Sequence, residues 1–63
     1  MTYAEISKAV RETLKITQET LADMIGSNQT EISFLERGFV PKNANKIANL
    51  LQIARDLQIQ IAN

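Results

Sequence analysis

The sequence predicts an all-α domain, a compact bundle of four helices followed by one short C-terminal strand. Apolar residues recur at helical spacing in four stretches of the chain. The two glycines, Gly26 and Gly38, stand where short helices would end. The chain has 63 residues, of which 44% are hydrophobic and none is Cys. This suffices for one small core, so we expect a single domain over residues 1–63 without disulfides.

Residues 2 to 14 are predicted to form the first helix. Thr2, with Glu5 three residues later, matches a capping box, in which each side chain satisfies a free backbone N–H. An apolar stripe follows at intervals of four residues: Ile6, Val10 and Leu14.

The stretch from Thr17 to Gly38 is predicted to form two short helices joined by a tight turn at Gly26. Thr17 is a suitable N-cap for the first, and Ser27 or Asn28 for the second, because their side-chain oxygens can accept from free N–H groups. Helices of about eight residues are unstable alone. The rest of the chain must therefore supply a shared core.

The same stretch contains Gln18, Leu21-Ala22, Ile25-Gly26-Ser27, Ile32-Ser33 and Leu35-Glu36-Arg37-Gly38. In these residues it resembles the helix-turn-helix of the Xre/Cro–CI repressor family. The resemblance runs from Arg11 to Leu57 and implies a lambda repressor-like fold, whose third helix enters the major groove of DNA. One departure is Lys15, which stands where the family usually has a glycine.

The third helix should present one face to a partner. At about 100° per residue, Ile32 and Leu35 point inward, and a mixed polar and aromatic row lies opposite. Since the resemblance puts base-reading residues at the start of this helix, we expect five base contacts: Asn28, Gln29, Thr30, Ser33 and Phe34. Four phosphate contacts are expected: Gln18, Arg37, Lys42 and Lys46. The alternatives are a solvated helix face and ordinary surface lysines.

Glu36 falls on the inward side of the third helix, where an unpaired carboxylate is costly. Arg11 borders the apolar stripe of the first helix, and phage repressors that resemble this chain pair an arginine with this glutamate. We therefore expect a structural ion pair between Arg11 and Glu36. The alternative is that both side chains extend into water.

Pro41 predicts a loop over residues 38–43, with Phe39 and Val40 covering the edge of the core. Asn43 or Asn45 can cap the fourth helix, predicted over residues 44–57. Its core-facing stripe is Ile47, Leu50, Leu51, Ala54 and Leu57.

The pattern changes after Leu57, where Gln58-Ile59-Gln60-Ile61 alternates polar and apolar residues as strands do. One strand cannot stand alone. This tail resembles antitoxins of the HipB type, whose subunits dimerise through a C-terminal strand. We expect residues 58–63 to pair with their copy in a homodimer, with Leu57, Ile59 and Ile61 at the interface. A frayed helix extension is the alternative.

The composition limits the functions to consider. With no His, no Cys and only two glycines, the chain predicts no enzyme, cofactor or metal site. It has no apolar run of membrane-spanning length, which favours a cytoplasmic location. Its formal net charge of zero argues against non-specific nucleic-acid binding. The resemblance implies a sequence-specific regulator, a dimeric repressor on an inverted-repeat operator in double-stranded DNA. The alternative is an antitoxin that neutralises a toxin protein and autoregulates its operon.

Overall fold

The computed structural model describes residues 1–61, in which four α-helices share one hydrophobic core. They are α1 (Tyr3–Leu14), α2 (Gln18–Ile25), α3 (Gln29–Glu36) and α4 (Ala44–Asp56). Helix α1 packs against α3 and α4, and α2 packs against the same two helices. The all-α fold class is confirmed, and the two short helices of the helix-turn-helix lie against the longer pair that stabilises them.

Each helix begins at a side-chain cap. Thr2 and Glu5 form the predicted capping box, with Thr2 Oγ1 accepting from the Glu5 amide and Glu5 Oε1 accepting from the Thr2 amide. Thr17 caps α2 through the amide of Thr20. Of the paired alternatives, Asn28 caps α3 and Asn43 caps α4. These contacts span two or three residues, so local sequence is enough to specify them.

Each helix is followed within two residues by a residue with left-handed backbone. The four residues are Lys15, Gly26, Gly38 and Gln58, with φ angles of 57°, 78°, 104° and 60°. The following amide donates to the carbonyl five residues before it, as in the Schellman motif; one example is Ile16 to Arg11 at 3.0 Å. Lys15 therefore makes the turn for which the family uses glycine, in a conformation that favours glycine.

The core takes residues from all four helices. Its fully buried apolar members are Ile6, Val10, Leu21, Ala22, Ile25, Ile32, Leu35, Leu50 and Ala54. The predicted stripes of α1 and α4 supply part of this set, and Leu14, Ile47, Leu51 and Leu57 pack half-buried around it. Two polar residues, Ser7 and Glu36, are also buried.

The loop between α3 and α4 departs from expectation. Phe39 and Val40 were expected to cover the edge of the core, but they are 67% and 52% exposed. The expectation was wrong because α3 ends at Glu36, the backbone turns left-handed at Gly38, and the chain after Gly38 runs over the surface. Half-buried residues elsewhere, including Ile59 and Ile61, close the core instead.

The tail follows the end of α4 at Asp56, and the left-handed backbone of Gln58 prevents the helix from continuing. Residues 59–61 are not helical, which rules out the helix extension over that span. Ile59 and Ile61 are half-buried, whereas Gln58 and Gln60 are exposed, so the alternating pattern is kept. No strand is formed within residues 1–61, and residues 62 and 63 of the predicted strand lie outside the described part. Pairing with a second subunit stays a prediction.

Candidate nucleic-acid interface

One face of α3 is open to solvent along its length. Gln29, Thr30, Phe34 and Arg37 are exposed and Ser33 is half-buried, whereas Ile32 and Leu35 are buried. The helical periodicity therefore places this row as expected. Among the expected base-contacting residues, Asn28 is also exposed, but its Oδ1 accepts from the Glu31 amide at 2.9 Å. Asn28 is thus held as the cap of α3.

A buried carboxylate joins α1 to α3. Glu36 accepts from Arg11 Nε at 2.8 Å and from Arg11 Nη2 at 2.6 Å, a two-point contact typical of strong arginine–carboxylate pairs. Ser7 Oγ, which is fully buried, donates to the same carboxylate at 2.6 Å. The structure thus brings Arg11 and Glu36 together and adds a donor, Ser7, that the sequence analysis missed. Ser7 lies one turn before Arg11 on α1, and this spacing is the signal that could have found it.

The environment of Glu36 sets its ionisation. Burial alone would raise the pKa of Glu36, but hydrogen bonds from Arg11, Ser7 and Gln18 outweigh it and hold the pKa below its ordinary value. The hydrogen bond to Glu36 correspondingly raises the pKa of Arg11. The carboxylate is therefore charged at neutral pH and can only accept hydrogen bonds.

Because Glu36 can only accept hydrogen bonds, it fixes the orientation of two glutamine side chains, Gln18 and Gln29. Gln18 Nε2 donates to Glu36 Oε1 at 3.2 Å, which leaves Gln18 Oε1 as an acceptor. Gln29 Nε2 donates to that oxygen at 3.1 Å. Because a carboxylate cannot donate, the amide of Gln18 cannot be reversed without losing a bond, and the same holds for Gln29. The Gln29 oxygen and its second N–H remain available on the surface of α3.

A cleft lies beside these glutamines at the start of α2. It has a volume of about 710 Å³ and is lined by Arg11, Ile16, Thr17, Gln18, Glu19 and Gln29. Free amides of the first turn of α2 and the second N–H of Gln18 favour an anion there. The Glu19 carboxylate opposes it, and the Arg11 charge is already balanced by Glu36. Gln18 thus lines this cleft, and its side chain is also part of the internal network. Phosphate binding by Gln18 stays a prediction.

The expected phosphate-binding cations differ in their surroundings. Lys42 is exposed, and the Arg37 guanidinium lies 4.7 Å from the centre of the Phe34 ring. Lys46 Nζ instead binds Glu31 Oε1 at 2.6 Å, an ion pair that sequence reasoning missed because the two residues lie on different helices. The hydrogen bond from Lys46, followed by that from Ser27, lowers the pKa of Glu31. Part of the Lys46 charge is therefore balanced within the chain.

The sequence also matches a known protein family. The family model described as helix-turn-helix matches residues 8–62, most of the chain. The chain belongs to the helix-turn-helix family. This is the Xre/Cro–CI type that the sequence resemblance indicated, and its members are DNA-binding transcription regulators. Searches of curated proteins and of solved structures found no match.

Within this helix-turn-helix protein, α2 and α3 are the pair of helices joined by the tight turn at Gly26. Across residues 1–61, no helix combines the length and the apolar character needed to cross a membrane.

Proposed function

We propose that this chain is a sequence-specific DNA-binding regulator, a dimeric repressor whose α3 enters the major groove of an inverted-repeat operator. The observation that carries the proposal is the fixed amide of Gln29 on the open face of α3. One N–H of Gln29 is taken by Gln18 at 3.1 Å, which leaves the oxygen and the second N–H of this exposed residue available. This donor–acceptor pair complements the N6 amino group and N7 of adenine.

The rest of the interface is assigned by its chemistry. Thr30, Ser33 and Phe34 offer hydroxyls and an apolar ring to neighbouring bases, and Asn28 stands at the entry to α3. Phosphates would bind at the cleft beside Gln18 and at Arg37 and Lys42, with Lys46 contributing once it releases Glu31. The proposed function is binding without catalysis, in the cytoplasm.

Binding-site selection from random duplex DNA, read by sequencing, tests this function. The wild-type chain should enrich one inverted repeat with half-sites about one helical turn apart, or a multiple of that. Gln29→Ala should lose preference at one base pair in each half-site, and the correct base there should contribute about 1–3 kcal/mol for the wild type. Gln52→Ala, an exposed change on α4, is the matched control and should select the same sequence.

Selection of no sequence would contradict the proposed function. Unchanged preference of Gln29→Ala at every position would remove only Gln29 from the set of base-reading residues.

The second candidate function is that of an antitoxin, which binds a toxin protein and also controls its own operon. The alternating tail favours it, because Ile59 and Ile61 remain only half-buried in the single chain and offer apolar surface. A toxin-like reading frame beside the gene, whose product forms a complex with the purified chain, would support this candidate.

A further inference from the structure

An apolar patch lies at the C-terminal end of α3 and on the loop that follows. It consists of Phe34, Phe39, Val40 and Pro41, and we call it the loop patch. Phe34, Phe39 and Val40 are 44%, 67% and 52% exposed. With Glu31, the four residues line a depression of about 350 Å³. Contiguous exposed apolar surface on a small domain marks an interaction site.

Contacts among its own residues hold the loop patch in place. The rings of Phe34 and Phe39 meet edge to face, with centroids 6.2 Å apart and planes at 84°. The Phe39 amide donates to the Phe34 carbonyl at 2.9 Å, which ties the start of the loop to α3. The Arg37 guanidinium lies 4.7 Å from the Phe34 ring. Phe39 is therefore held beside α3 although most of its side chain faces solvent.

The charges around the loop patch favour a polyanion as its partner. Arg37 lies against the Phe34 ring and Lys42 follows Pro41 in the chain, and neither forms an ion pair with any residue in the described range 1–61. The one carboxylate in its lining, Glu31, is already bound by Lys46 at 2.6 Å. A second copy packed on this patch across a two-fold axis would bring like charges together, whereas DNA presents apolar methyl groups beside phosphates.

We propose that the loop patch is a second DNA-reading surface, in which Phe39 and Val40, together with Phe34, contact thymine methyl groups and deoxyribose. The proposal rests on the proposed function and extends base reading from α3 to the following loop. Five residues separate Gln29 from Phe34, or about 7.5 Å along the helix. At about 3.4 Å per base pair, the thymine should lie about two or three base pairs from the base read by Gln29.

Replacing thymine by deoxyuridine, which removes only the 5-methyl group, tests this proposal. Each thymine of the selected operator is changed in turn, and binding is measured with the full chain. At the predicted position the wild type should lose about fourfold in affinity, the value expected for one buried methyl group. Phe39→Ala should bind more weakly to the thymine operator and lose less affinity than the wild type when uracil replaces that thymine, because only Phe34 and Val40 then contact the methyl group. Circular dichroism should show that this exposed change leaves the fold intact.

Tyr3→Ala is the matched control, because Tyr3 is an exposed aromatic residue at the start of α1, 37% exposed. It should retain the wild-type sensitivity to uracil. Equal thymine-to-uracil ratios for wild type and Phe39→Ala at every position would overturn the proposal. It would also be overturned if, without DNA, the wild type sedimented as a dimer and Phe39→Ala as a monomer, since a second copy would then cover the patch.

Binding-site selection separates failure of the proposed function from failure of the second reading surface. If selection returns no site, the proposed function fails and the loop patch has no DNA to read. If selection returns an operator whose thymine methyl groups have no effect on binding, only the second reading surface is wrong.

Discussion

Replacing Arg11 by Ala should destabilise the domain more than replacing any other partly exposed side chain of the interface. Its guanidinium makes two of the four hydrogen bonds that reach Glu36, the others coming from Ser7 and Gln18. Arg11→Ala leaves a carboxylate that is 5% exposed without its counter-charge. Ser7 and Gln18 still donate, but neither supplies a positive charge.

The expected loss is about 3 kcal/mol. Removing one partner of a buried ion pair typically costs about 3–5 kcal/mol, and the lower end applies because Arg11 is 26% exposed and water can partly replace it. A domain of this size has about 3–9 kcal/mol of stability in total. The midpoint of thermal unfolding should therefore fall by about 12–24 °C. Arg11→Ala should therefore retain only about 0–6 kcal/mol of stability at room temperature.

Urea denaturation followed by circular dichroism measures this loss, and its pH dependence identifies the cause. The folded-state pKa of Glu36 lies below the ordinary value of 4.5, so its pairing stabilises the fold above that pH. This contribution is lost as the pH falls through the folded-state pKa. The penalty of Arg11→Ala should accordingly shrink in acid, because the wild type loses the same ion pair there.

The double variant Arg11→Ala/Glu36→Ala should lose less than the sum of the single losses, by about 0.5–3 kcal/mol. Lys46→Ala is the matched control, since it breaks an ion pair whose side chains are 21% and 33% exposed. Its effect should be much smaller because solvent already screens that pair. Strict additivity, or a penalty for Arg11→Ala that is unchanged down to about pH 3, would refute this account of Glu36.

Three further predictions concern DNA binding, dimer formation and the turn at Lys15 between α1 and α2. Lys42→Ala should weaken binding to all DNA sequences and reduce the salt slope by about one unit, whereas Lys8→Ala, on α1, should keep the wild-type slope in titrations at several salt concentrations. Gln60→Pro removes an exposed backbone N–H from the tail and should convert the expected dimer to a monomer in analytical ultracentrifugation, while Gln60→Ala, which keeps that N–H, should remain a dimer. A monomeric wild type at high concentration would contradict the tail-mediated interface. Lys15→Gly should raise the free energy of unfolding by up to about 1 kcal/mol in urea titrations, because glycine adopts the left-handed backbone there without steric cost.

The helices and their caps could be predicted from the sequence because they depend on contacts within one turn. Thr2 binds a residue three positions away, and so does Thr17, so the local order of residues decides the start of each helix. The left-handed turn at Gly26 follows from its lack of a Cβ. The orientation of α3 likewise follows from its period, which buries Ile32 and Leu35.

The candidate site was only partly predictable, because its contacts join residues far apart in the chain. Ser7 and Gln18 meet Glu36 across separations of 29 and 18 residues, and Lys46 meets Glu31 across 15. Nothing in the local pattern states these pairings, which depend on how the helices cross. The exposure of Phe39 was mispredicted for the same reason, since apolar composition cannot say whether the core has room for the ring.

The sequence by itself thus determined where the helices begin and end, which sides of them are apolar, and which family they resemble, since these follow from short-range hydrogen bonds and helical period. Only the tertiary structure decided that one buried carboxylate orients Gln18 and, through it, Gln29, and that the aromatic loop after α3 stays on the surface. The physical reason is that side-chain hydrogen bonds act over about 3 Å. Which groups come within that distance is set by the packing of the helices around their common core.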